Sequence, residues 1–211
     1  MHPKWIDWSQ KLAAEAQSGL AYTQNPFDRA HYEAIARIAF EMQAAAMTPD
    51  SDIEAILELH RDERGYATPK VDVRGVVFDE EGRLLLVREL KDGGFTLPGG
   101  WVDVGDRPGE AAEREIREET GYLTRASKLL AVWDRRLHGH PPEARFHIYK
   151  IFIRCDLVGG EARDSIETAD ARFFAEDDIP KLTLSLPRTT PSQISRLFEH
   201  YRNPEMPADF D

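Results

Sequence analysis

Glu115, Glu118 and Glu119 lie in a stretch that runs Gly100, Asp106, Arg114-Glu115-Ile116, Glu118-Glu119, Gly121. On a helix their spacing of i, i+3 and i+4 puts all three carboxylates on one face. Carboxylates so crowded repel one another by about a few tenths of a kcal/mol per close pair. A cation between them removes that cost. Hard oxygen ligands on one face suit Mg2+ or Mn2+, which completes its octahedron with waters and substrate phosphates. The chemistry implied is metal-assisted work on a phosphate, with Arg114 placed to orient or neutralise a neighbouring acid. With 38 Asp and Glu among 211 residues, three acids at this spacing arise by chance about once in such a chain. The glycines and Arg114 at fixed offsets make the whole constellation specific where its parts are weak.

The elements that must hold these residues are legible from punctuation and periodicity. Pro108 suits a first helical position, Asp106 can cap just before it, and Gly121 supplies a left-handed stop, which predicts a helix over 108–120. Ala111, Ala112 and Ile116 turn a second face of it toward a core. Ahead of it, Pro98-Gly99-Gly100 permits close backbone approach. Residues 71–78 and 83–89 are β-rich runs joined by Asp79-Glu80-Glu81-Gly82, a hairpin signal. Further strands are expected near 95–98, 126–135, 146–157 and 170–174. Thr190-Pro191-x-Gln193 is a capping signature for a final helix with Ile194, Leu197, Phe198 and Tyr201 as its apolar stripe.

Upstream, Trp5, Trp8 and Leu12, then Tyr32, Ile35, Ala39 and Met42, then Ile53, Ile56 and Leu57 after Thr48-Pro49-Asp50 recur at helical spacing. The chain therefore reads as a helical module over 1–62, a linker over 63–69, an α/β region over 70–203 and a loose tail over 204–211. Trp5 and Trp8 are read as internal packing of the helical module before interface.

Composition agrees with an intracellular, cytoplasmic enzyme. The single cysteine, Cys155, excludes an internal disulfide and, inside the apolar run 149–157, reads as a packed core thiol. No run approaches the roughly 18 apolar residues of a membrane span, and the amino terminus carries no secretory stretch. A net charge of −11 argues against membrane-surface attachment and against nucleic acid as partner, since no Lys/Arg cluster offers counterion release.

The constellation resembles the Nudix box, G-x5-E-x7-R-E-U-x-E-E-x-G-U with U aliphatic. Asp106 stands where the pattern has Glu, and Tyr122 where it has an aliphatic residue. The resemblance implies an α/β/α sandwich with a mixed sheet, preceded here by a small all-helical domain. It also implies hydrolysis of a nucleoside diphosphate linked to another moiety. It makes Glu118 and Glu119 ligands of Mg2+ or Mn2+, Glu115 a ligand or general base, Arg114 its orienter and the Gly99 carbonyl a further ligand. Glu167 resembles the acid on a later loop that serves some Nudix enzymes as the base.

Trp5-Ile6-x-Trp8, Asn25-Pro26-Phe27-Asp28, Gly65 through Gly75, and Trp133-Asp134-Arg135 with His140-Pro141-Pro142 are similar to a subgroup acting on CDP-choline or ADP-ribose. In that subgroup the helical extension contributes to a homodimer. Outside the box, Trp133 can stack on a base, or with Trp101 face a quaternary ammonium. Arg135 and Arg136 can grip a phosphate, and His140 can contact a phosphate or ribose. His138, His140 and His147 are too irregularly spaced for a zinc site. An RNA-end or RNA-chain hydrolase would use the same acids but calls for a basic groove. A noncatalytic nucleotide-sensing domain would carry a degraded box.

Overall fold

The computed structural model describes residues 4–47, 66–141 and 146–211. They divide into two units, residues 1–69 with 142–147 and residues 70–141 with 148–211.

In the first unit, α1 (Lys4–Tyr22) pairs with α2 (Pro26–Met47). Asn25 begins the second helix by accepting the Phe27 N–H at 2.9 Å, with Pro26 in the first helical position. The helices meet through small side chains: Ala13, Ala39 and Ala44 form a core with Phe40. A Cβ on Gly19 would fall 2.4 Å from the Tyr32 ring, so the glycine is what lets the two helices meet there. Trp5 and Trp8 are not in that core; Trp8 is 58% exposed. The helix expected around Ile53, Ile56 and Leu57 lies outside the described residues.

The second unit is built on β1 (Lys70–Val76), β2 (Leu84–Glu89), β3 (Phe95–Thr96), α3 (Pro108–Thr120), β4 (Tyr122–Asp134), β5 (Ile148–Gly160), β6 (Thr168–Phe174), α4 (Pro191–Arg202) and β7 (Asp209–Phe210). One sheet has the order β1-β5-β4-β7 and the other β3-β2-β6. The first is mixed: β5 runs parallel to β1 and antiparallel to β4, and β7 runs parallel to β4.

Two cores lie on opposite faces of the strands, and β2 shows why. Leu84 to Val87 are all fully buried, and strand alternation sends them to both sides. Leu84 and Leu86 join Phe152, Ile194, Leu197 and Phe198 against α4. Leu85 and Val87 join Val73, Ala111, Ala112 and Ile116 against α3. The result is the α/β/α layering, with α3 fastened by its alanine face.

The carboxyl-terminal segment departs from the loose tail expected of it. Asp209 takes Arg196 Nε at 2.6 Å and His200 Nε2 at 3.0 Å, and Lys128 donates to the Met206 carbonyl at 2.7 Å. These charge-assisted bonds pin a sequence whose composition alone carries no element signal.

Candidate active site

Helix α3 starts at Pro108 and ends on Gly121, whose φ of 80° and N–H bond to the Arg117 carbonyl make the left-handed stop. Asp106 does not cap it. The capping position belongs to Arg107, and the Asp106 carboxylate instead receives Arg114 Nη2 at 3.1 Å, which ties the approach loop to the helix. Arg114 also donates to Glu115 at 2.8 Å and reaches Glu118 at 3.5 Å. One guanidinium thus gathers the acids of the loop and of the helix face.

Against this face lies the glycine turn. Pro98 and Gly100 give their carbonyls to the N–H groups of Gly75 and Val73, both at 2.8 Å, so the turn is zipped onto β1. Gly99 has φ 146°, and a Cβ there would fall 2.1 Å from the Val73 carbonyl oxygen; only glycine fits. Its N–H donates to Glu119 Oε2 at 2.9 Å. A Cβ on Gly100 would press on the Glu115 carboxylate at 3.1 Å. The turn and the acids are therefore one packed unit.

Burial governs the electrostatics. Desolvation pushes the Glu119 carboxyl up to about 8, against the opposing pull of Arg74 and the Gly99 N–H and with Glu115 and Glu89 adding repulsion. Glu115 is also raised, again chiefly by burial and despite Arg114. A third layer was not anticipated. Arg74, 4% exposed, holds Asp72 through Nε at 2.8 Å and Nη2 at 2.6 Å, and donates to the Leu97 carbonyl at the base of the glycine turn. Lys150 adds a bond to Asp72 at 2.9 Å. Arg74 already neutralises Asp72, so Lys150 is a surplus buried cation: desolvation, helped by Arg74 and Arg135, brings it down to about 7, while Asp72 is held near 2 by its two cations against the cost of burial. The sequence carries only a local hint of this layer: Arg74 and Lys150 each interrupt a largely apolar strand, while their meeting at Asp72 is not local.

The residues expected to meet substrate scatter. Trp101 is 51% exposed. Trp133 is buried in the α4-side core, 4.8 Å between ring centroids from Phe152, so it is packing and offers no open stacking face. Arg135 is buried and donates to the Pro187 carbonyl. Arg136 is engaged by Asp134 at 2.6 Å. His140 is buried; its Nδ1 pairs with the Leu186 carbonyl at 2.8 Å, its Nε2 has no hydrogen-bond partner among the described residues, and burial holds its pKa down at about 4. Glu167 is exposed in a turn where its N–H donates to Ser165 Oγ at 3.1 Å. Cys155 is a buried thiol pushed up to about 12 by desolvation, which suits packing and not nucleophilic attack.

Residues 68–193 match the family described as NUDIX domain. The chain belongs to the Nudix family. Residues 3–59 match a second one, described as UDP-X-like, N-terminal oligomerisation domain. The chain is 46% identical over 208 residues to the Bacillus subtilis protein YjhB, whose name provisionally assigns it to the ADP-ribose pyrophosphatases; the match covers 99% of this chain and 97% of that one. A solved UDP-X diphosphatase is similar at 33% identity and TM-score 0.63, covering 99% of this chain and 98% of the other. A Streptococcus suis ADP-ribose pyrophosphatase is similar at 35% identity and TM-score 0.61, over 68% of this chain and 100% of its own. The protein is a Nudix hydrolase with a helical unit ahead of the catalytic one.

Nudix hydrolases generally use a divalent metal, and the donor set here fits one. Every candidate ligand is an oxygen, and two of the carboxylates are held up by burial and mutual repulsion, a cost that a cation relieves. As the side chains stand, no three acidic, histidine or cysteine groups converge tightly enough to hold an ion among the described residues. Arg114 occupies the role of counter-charge for Glu115 and Glu118 instead. Among those residues no helix is long and apolar enough to cross a membrane.

Proposed function

We propose that the protein is a metal-dependent pyrophosphohydrolase that cleaves a nucleoside diphosphate linked to a further moiety, giving a nucleoside monophosphate and a phosphorylated partner. The observation that carries this reading is the packing of Gly99 and Gly100 onto Glu119 and Glu115 of one helix face. Glu115, Glu118, Glu119 and the Gly99 carbonyl would hold Mg2+ or Mn2+, which when bound neutralises phosphate oxygens and makes hydroxide accessible at neutral pH.

The chain's own groups do the rest. Water attacks one phosphorus of the anhydride, the bridging P–O bond breaks, and the second phosphate leaves with the bridging oxygen. Glu167, an exposed acid, takes the proton from water. Arg114 opposes the upward pull of burial on Glu115 and orients it as a ligand. Trp101, half exposed, is the group offered to the rest of the substrate; Trp133, Arg135, Arg136 and His140 are taken up by the core and by Pro187, Asp134 and Leu186.

ADP-ribose and UDP-linked compounds are the substrates we favour, since the names of the similar proteins point there. CDP-choline, whose quaternary ammonium calls for an aromatic cage, loses one wall with Trp133 buried. A homodimer through the helical unit is supported by the exposed apolar side chains Trp5, Trp8 and Leu12 on α1 and Ile35 and Ile38 on α2, and one buried cysteine suits a reducing, cytoplasmic setting. The test is phosphate-coupled turnover with Mg2+ and Mn2+ on ADP-ribose, a UDP-sugar, CDP-choline and a short RNA, beside Glu118→Gln. Cleavage of a small substrate that Glu118→Gln abolishes is the expected result. Preference for RNA, or no turnover of any of the four, overturns the reading.

A further inference from the structure

Asp170, in β6, has φ 55°, and no other non-glycine residue among those described sits at positive φ. Such a conformation persists only where the surroundings over-determine it. Here they do. Arg88 Nη2 meets the Asp170 carboxylate at 2.5 Å, Arg172 meets it through Nε at 2.6 Å and Nη2 at 2.7 Å, and the Asp170 N–H donates to Asp164 Oδ1 at 2.9 Å. The two guanidinium groups are themselves seated over the Phe95 ring, at 5.3 and 5.8 Å from its centroid.

The strain has a consequence for register. Leu86 lies opposite Arg172 and Arg88 opposite Ala169, so Asp170 and Ala171 together face Val87 as a β-bulge. Ala171 packs in the core under α3. In a regular strand Thr168, three positions earlier, would point to the other face. The extra residue returns it to the α3 side, where its Oγ1 donates to the Glu119 carbonyl at 2.8 Å. Ser165 Oγ then receives the N–H groups of Glu167 and Thr168, and the Glu167 carbonyl accepts the Leu90 N–H at 3.0 Å. The turn carrying Glu167 is thereby registered on the helical turn carrying Glu118 and Glu119.

We propose that Asp170 is a positioning residue: its left-handed backbone sets the bulge that holds the Glu167 turn against the acidic end of α3. This rests on the reading of Glu167 as the general base. The experiment is steady-state kinetics on the preferred substrate for Asp170→Gly, Asp170→Val, Glu167→Gln and the Asp170→Val/Glu167→Gln double variant. Glycine adopts this backbone freely although it abandons both arginines, so kcat stays within about 3-fold of wild type. Valine cannot adopt it; kcat falls about 100-fold, the scale of an ångström-sized misplacement, with KM within about 2-fold. Added to Glu167→Gln, the valine costs nothing further.

An Asp170 that served only as an ion-pair partner would make the glycine variant as poor as the valine one. One that served only global stability would multiply its loss onto that of Glu167→Gln. Either result overturns the proposal. If Glu167→Gln keeps full turnover, the base reading fails and the proposal with it; if Glu167→Gln is impaired while Asp170→Val is normal, only the positioning role fails. Should the valine variant not fold, Asp170→Ala takes its place, with the same pattern at about a 10-fold loss.

Discussion

Helix α3 and the stretch 133–140 are both dense in residue types that grip phosphate, yet they treat those residues in opposite ways. On α3, Glu115, Glu118 and Glu119 emerge together on one face, and Arg114 and the Gly99–Gly100 turn close around them. In 133–140, Trp133 sinks into the core, Arg136 is taken up by Asp134, and Arg135 and His140 are buried against the carbonyls of Pro187 and Leu186. A helix shows its residues by local period, whereas the end of a strand and a short loop show theirs only as the neighbouring chain permits. Local spacing therefore tells which side chains come together in the first region and does not in the second.

The contrast can be broken at either end. Glu118→Gln is expected to lower kcat/KM by about 1000-fold, the scale for losing a group that stabilises phosphate charge, with the urea midpoint unchanged because this side chain is half exposed. A variant near wild-type activity would remove Glu118 from the metal set. Trp133→Ala should cost about 3–5 kcal/mol of stability, as for a large aromatic truncated in a core, while KM in the folded protein stays put. A raised KM with an unaltered midpoint would instead make the stretch a stacking platform and erase the difference between the two regions.

Gly99→Ala combines both concerns. Its forced backbone is expected to cost about 1–3 kcal/mol, and displacing the N–H from Glu119 should reduce turnover as well. Unchanged stability and activity together would show that the close approach to Val73 relaxes easily.

The smallest effect concerns pH. Lys150 titrates near 7 in the folded protein against 10.5 when free, so between those values the unfolded chain holds a proton that the folded chain lacks. Stability contributed by this site therefore rises with pH from about 7 upward, and the penalty of burying the cation is complete below 7. Comparing urea midpoints at pH 7 and pH 9, wild type should gain relative to Lys150→Met, which carries no titrating group. Parallel curves would mean that Lys150 stays charged throughout.

What could be read in advance follows the same division. Pro108 and Gly121 bound α3 where the sequence placed it, and the β-rich run over 83–89 holds β2. Asp106 was misjudged as a cap because a capping type stood one residue ahead of the capping position, which is Arg107; the guanidinium of Arg114, eight residues on, takes the Asp106 carboxylate instead. The tail beyond Pro204 was misjudged because its anchors, Arg196, His200 and Lys128, lie in other elements. The buried Asp72, Arg74 and Lys150 group joins two strands distant in sequence, so no window could contain it.

By itself, then, the sequence determined the acidic helix face, the glycine turn before it and the order of strands and helices around them, because helical and strand periods and the special backbone freedom of Gly and Pro act over a few residues. Only the tertiary structure decided which acids are buried and so titrate abnormally, which aromatic side chains are core, and how Asp170 bends one strand onto α3. Desolvation, ion pairing and strand register depend on segments that the chain brings together only when folded.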